Sequence, residues 1–115
     1  MINLDYQNRM PIYEQIISEI EKYVALGILK PQDQLMSIRE MATSLGINPN
    51  TVKKAYAELE KKGVIITIST KGSFIADNIN KIVDTKVDEK ISEIKNIIEE
   101  LEKLGINKED IIKKL

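Results

Sequence analysis

Ser37-Ile38-Arg39-Glu40-Met41-Ala42-Thr43-Ser44-Leu45-Gly46-Ile47-Asn48-Pro49-Asn50-Thr51-Val52 sets the architecture of the chain. Ser37 to Glu40 fits a capping box: the serine hydroxyl takes an orphan N–H of the first turn, and a glutamate three residues on reciprocates. A short helix follows, running to about Ser44. Gly46 lets the chain turn sharply. Asn48 is then a good N-cap and Pro49 a good first residue for the next helix, because proline's missing N–H has no partner there anyway.

The apolar positions between these two helices are Met41, Leu45, Ile47, Val52 and Ala55. Small Ala42 permits close approach, and Gly46 lies four residues later. This is the pattern of a helix-turn-helix, whose second helix leaves its outer face free to enter a major groove. That face offers Asn50, Thr51, Lys53 and Lys54 near its N-terminus. Asparagine bonds adenine edges, threonine reaches phosphate or a thymine methyl, and lysine reaches guanine or phosphate.

Outward from this core, Pro11 opens an earlier helix with Tyr13, Ile16, Ile17, Ile20 and Val24 at helical spacing, stopped at Gly27. Ile28 to Gln34 reads as a connecting loop. After the helix that ends before Gly63, Val64 to Ile68 is a β-branched run and Phe74-Ile75 a shorter one. Ser69-Thr70-Lys71-Gly72 between them makes a plausible hairpin tip. The expected fold is therefore mainly α with a small β-hairpin wing (α+β): a winged helix-turn-helix over residues 1–78. Residues 79–115 form a short helical tail. In that tail Val87, Ile91, Ile94, Ile98 and Leu101 alternate at steps of four and three, a seam of about two heptads. Gly105 stops that helix, and Asn107 caps a last short one.

Composition narrows the function. The 115 residues contain neither histidine nor cysteine, so the commonest general base, thiol nucleophile and metal ligands are missing. No catalytic residue, metal site or cofactor is expected, and the chain is expected not to be an enzyme. The N-terminal stretch to Arg9 is polar, unlike a signal peptide, and no apolar run is long enough to span a membrane. A soluble, cytoplasmic protein is expected. The formal net charge of −1 hides an uneven distribution. From Met36 to Ile75 the local balance is +3, with Arg39, Lys53, Lys54, Lys61, Lys62 and Lys71 against Glu40, Glu58 and Glu60.

These blocks resemble the GntR family of bacterial regulators. The resemblance runs from Gly27-Ile28-Leu29-Lys30-Pro31 through Asp33-Gln34-Leu35 and Ser37 to Ala42. It continues at Thr51-Val52, Leu59-Glu60, Gly63 and Lys71-Gly72-Ser73-Phe74-Ile75. Ile47 to Val52, Ala55-Tyr56 and the opening Pro11 to Ile16 are similar to the YtrA-like branch, which carries a short helical tail in place of a large effector domain. The resemblance implies a sequence-specific regulator of transcription, a repressor by occupancy, bound to double-stranded operator DNA. Arg39 matches the family's DNA-contacting arginine in the first helix of the motif, and Ser37, which caps that helix, is expected to approach a phosphate as well. Asn48, Asn50, Thr51 and Lys53 match contact positions around the recognition helix, and Gly72 beside Lys71 matches the wing tip that follows the minor groove. It also implies a homodimer, with regulated genes for membrane transporters.

Three departures from the family pattern stand out. Gln32 replaces a glycine after Pro31, Met36 replaces the proline before Ser37, and Thr70 stands where the first wing glycine is common. Pro49 also occupies a position where many relatives carry arginine, which shifts base reading towards Asn48, Asn50 and Lys53. The tail seam has two readings: a cover for the first domain, or a pairing surface between two copies. Pairing is favoured, since one module with so little positive charge would hold DNA weakly. A small-molecule effector would have to use the dimer interface or the cleft beside the tail. Two other functions compete with this reading. A winged-helix docking module would lack the polar and basic face of the third helix. A fragment of an aminotransferase fusion would need a longer chain with a cofactor-binding lysine.

Overall fold

The computed structural model describes residues 2–115. Its elements are α1 (Ile12–Ala25), α2 (Ile38–Leu45), α3 (Pro49–Lys61), β1 (Ile65–Ile68), β2 (Gly72–Ile75), α4 (Ile79–Lys103) and α5 (Lys108–Lys114). Packing divides the chain into a unit ending at Ile82 and a second unit, Val83–Leu115. The division falls inside α4, three residues beyond its start. The first turn of α4 belongs to the first unit because Ile79 is fully buried there, and Ile82 reaches towards the turn at Gly63.

Each helix of the first unit starts where local chemistry dictates. Pro11 precedes α1. Ser37 Oγ accepts the Glu40 N–H at 3.1 Å while the Glu40 carboxylate accepts the Ser37 N–H at 3.2 Å, so the expected capping box is formed. Gly46 ends α2 in the left-handed region at φ 67°, where a side chain would be strained. Two residues later Asn48 Oδ1 accepts the Asn50 N–H at 2.8 Å and starts α3, with Pro49 at its first position. The short path between two such caps fixes where α2 stops and α3 begins.

The core lies between these helices and the hairpin. Ile16 and Ile20 of α1, Val52 and Leu59 of α3, Ile65 and Ile75 of the strands, and Ile79 are each under 2 % exposed. Burying such side chains contributes about 1.5–3 kcal/mol apiece. The N-terminal segment is less loose than its polarity suggests: Ile2 is buried, and so is Gln15. The Gln15 amide accepts the Asp5 N–H at 2.8 Å and donates to the Asp5 and Met10 carbonyls, both at 2.9 Å. A buried amide whose bonds are all made carries little penalty and holds the segment to α1.

β1 and β2 pair antiparallel, with Ile66 opposite Phe74 and Ile68 opposite Gly72. The segment before α2, read from sequence as a plain connection, lies along the other edge of β2. Gln32 N–H donates to the Ile75 carbonyl, Ile75 N–H to the Asp33 carbonyl, and Leu35 N–H to the Ser73 carbonyl, at 2.8–2.9 Å. A two-stranded hairpin alone is marginal in water; this third edge secures it.

In the second unit α5 lies against the last turns of α4. Its Asn107 cap accepts the Asp110 N–H at 2.9 Å. Ile111 is buried, and a groove of about 370 Å³ runs between the helices, lined by Ile94, Ile97, Ile98, Leu101, Ile112 and their neighbours. Higher on α4, Val87, Ile91 and Ile94 are 44–52 % exposed within the single chain.

Candidate nucleic-acid interface

The sequence-predicted contact residues all fall in the first unit, on three features: the start of α2, the start of α3 and the hairpin tip. Arg39, Asn48, Asn50, Lys53 and Lys71 are exposed, Thr51 and Gly72 half-buried. The opposite face of α3 carries Val52, Ala55, Tyr56 and Leu59, all buried. The helix thus spends its apolar stripe on the core and leaves its amide and amine groups outward.

The charge on this surface is unspent. Among the described residues, ion pairs tie Lys61 to Glu58 and Lys62 to Glu21 at the far end of α3. Arg39, Lys53 and Lys71 form none. No acidic side chain stands in the first turn of α3, so the positive end of its dipole is not neutralised. Glu40 is committed to the capping box. The result is a capped helix start with no acidic side chain against its dipole, two asparagines and a bare lysine, a combination suited to phosphates and base edges.

Two predicted residues have structural duties as well. Asn48 uses its oxygen as the cap, leaving its amide nitrogen as the outward donor. Lys54 is turned towards α1, its Nζ 3.9 Å from the centre of the Tyr13 ring. That cation–π contact holds the amine at the flank of α3, apart from Lys53.

Sequence reading missed the joint that aligns the three features. Tyr56 on α3 donates its hydroxyl to the Met36 carbonyl at 2.6 Å, one residue ahead of the Ser37 cap. Burial, with Glu40 nearby, pushes the Tyr56 pKa up to about 12 and keeps it a donor. Gln34 donates to the Lys71 carbonyl at 2.9 Å. Residues 34–37 therefore connect the wing tip, the start of α2 and the back of α3. A tyrosine on the buried face of a helix is the one signal that pointed here, since its hydroxyl has to find a partner.

Among the described residues, the two non-glycine residues at positive φ are Gln32 (70°) and Thr70 (69°). Both stand where the family pattern carries glycine, and the backbone shows why glycine is common there.

The family model for bacterial regulatory proteins of the gntR family matches residues 12–75. The HTH-type transcriptional repressor YtrA of Bacillus subtilis is 44% identical over 101 residues, 88% of this chain and 75% of that protein. A transcriptional regulator from Oenococcus oeni aligns with a TM-score of 0.75 at 38% identity, covering 98% of this chain and 94% of the other. YtrA from Sulfolobus acidocaldarius, a GntR-family transcription factor, aligns with a TM-score of 0.63 at 34% identity over 79% of this chain and 97% of its own. A winged helix-turn-helix with its reading face bare, matched to these regulators along most of its length, places the chain in the gntR family of bacterial regulatory proteins, a DNA-binding transcriptional regulator and not an enzyme.

Proposed function

We propose that the protein represses transcription by occupying a two-fold-symmetric operator as a homodimer. The start of α3 enters the major groove with Asn48, Asn50, Thr51 and Lys53. Arg39 and Ser37 at the start of α2 reach the backbone, Lys54 flanks them, and Lys71 with Gly72 follows the minor groove. The observation that carries this reading is the uncompensated polar and basic end of α3 set against a fully buried opposite face. Phosphate contacts then supply affinity and asparagine supplies sequence preference.

Dimerisation is assigned to the α4 seam. Val87 and Ile91 stay open in the single chain, Ile94 is half exposed at the edge of the groove beside α5, and Ile98 and Leu101 line that groove. An apolar row of this length has little reason to persist in water unless a partner covers it. No helix among the described residues is long and apolar enough to cross a membrane; we place the regulator in the cytoplasm, beside its DNA.

Selection of bound duplexes from random DNA tests the proposal. Inverted repeats should be enriched, and affinity should fall steeply as salt rises. Lys53→Ala should weaken binding to all sequences. Asn50→Ala should in addition relax preference at one base pair, by about 1–3 kcal/mol. Enrichment of single half-sites would remove the dimer; equal losses on every sequence for Asn50→Ala would remove its base-reading role.

A further inference from the structure

The tip of the wing is held by one side chain from outside the hairpin. Residues 32–35 pair with β2 in a register that sets Gln34 opposite Phe74. Carried one step further, that ladder would bring the Ser37 N–H to the Lys71 carbonyl. It does not, because the chain turns into α2 and the Ser37 N–H goes to the Glu40 carboxylate. The Lys71 carbonyl receives the Gln34 amide at 2.9 Å instead. The side chain supplies the bond that the backbone has given up.

The tip has particular need of it. Thr70, β-branched, sits at φ 69°, a conformation that disfavours it. Gly72 at φ 117° lies so close that a Cβ there would stand 3.0 Å from Gln34 Nε2. A strained turn at the end of two four-residue strands samples other shapes unless something fixes it.

We propose that Gln34 is a positioning residue for the wing: it locks the Lys71–Gly72 backbone at a set height relative to the start of α2, so that wing and recognition helix meet DNA together. This rests on the DNA-binding reading above. Gln34 is exposed and its replacement leaves the core untouched.

The test is Gln34→Met, which keeps the length of the side chain and removes the donor, in the full chain. Amide exchange at Lys71 and Gly72 should speed up about five- to tenfold, with exchange at Val52 and Leu59 unchanged. Affinity for a duplex selected by the wild-type protein should fall about five- to tenfold. Hydroxyl-radical protection should vanish in the flanking minor groove and persist under α3, a split that general destabilisation would not give. Unchanged exchange at the tip overturns the proposal. Faster exchange with an unchanged footprint overturns the role in DNA positioning. A wild-type protein that selects no duplex would sink the DNA-binding reading and the positioning role with it, while exchange still decides the tether itself.

Discussion

In α3 the residues Val52, Ala55, Tyr56 and Leu59 recur at helical spacing, and all are buried. In α4 the residues Val87, Ile91, Ile94, Ile98 and Leu101 recur at a similar spacing, and the first three remain about half exposed. Periodicity alone does not distinguish the two helices. What differs is supply: α3 is met by α1, α2 and β1, whereas within its own unit α4 is met by α5 only along its last turns. An apolar stripe promises that a face will be covered without saying whose atoms will cover it. Where the chain provides the cover, the helix is part of a folded unit; where it does not, the stripe is the pairing surface proposed above.

The sharpest way to break this contrast is to charge the open stripe. Ile91→Asp with Ile94→Asp should weaken self-association about 100-fold or more, since two buried isoleucines contribute about 1.5–3 kcal/mol each and the carboxylates would have to be desolvated. Sedimentation should show a monomer whose helical content and urea midpoint match those of wild-type monomer at high dilution. A dimer that survives both charges assigns pairing to another surface.

Tyr56→Phe probes the closed stripe. It leaves the Met36 carbonyl without its donor and should cost about 1–2 kcal/mol in urea unfolding at neutral pH. The pH dependence has a definite sign. The folded protein holds the neutral phenol, with a pKa near 12 against the ordinary 10.0. The stability this brings is whole below pH 10 and is lost as pH climbs towards 12. The gap between wild type and Tyr56→Phe should therefore narrow above pH 10. A gap that stays constant to pH 12 would mean the phenol is not held neutral by burial.

The smallest effect is expected at Gln32→Gly. Relief of the φ 70° backbone is worth about 1 kcal/mol or a little more, offset by glycine's greater freedom when unfolded. A net gain of about 0.5 kcal/mol, read as a rise in melting temperature with DNA affinity unchanged, is the expected outcome. A loss would show that the Gln32 side chain contributes contacts beyond its backbone.

The elements legible in the sequence are those governed by neighbours in the chain. The capping box at Ser37, the Asn48–Pro49 start, the turn at Gly46 and the strands around Thr70 all follow from short-range chemistry. What stayed hidden depends on distant partners. Asp33 and Gln34 look like loop residues and become an edge strand only because β2, nearly forty residues on, offers its free side. Gln15 sits on the apolar face of α1 without breaking it because Asp5 and Met10 bring the carbonyls it needs. Lys54 reads as one more basic residue of a reading face until Tyr13 is found beneath it. Of the candidate site, the exposure of its residues at the start of α3 could be read, while the joint at residues 34–37 that links α2, α3 and the wing could not.

The cap at Asn48 constrains how such a regulator can change its target over evolutionary time. Any substitution there must still offer an oxygen to the Asn50 N–H or leave the helix start frayed at a cost of about 1 kcal/mol. Aspartate, serine and threonine meet that demand but cannot present an amide donor outward. Under the function proposed above, drift in operator preference is therefore channelled through Asn50 and Lys53, whose side chains owe nothing to the fold.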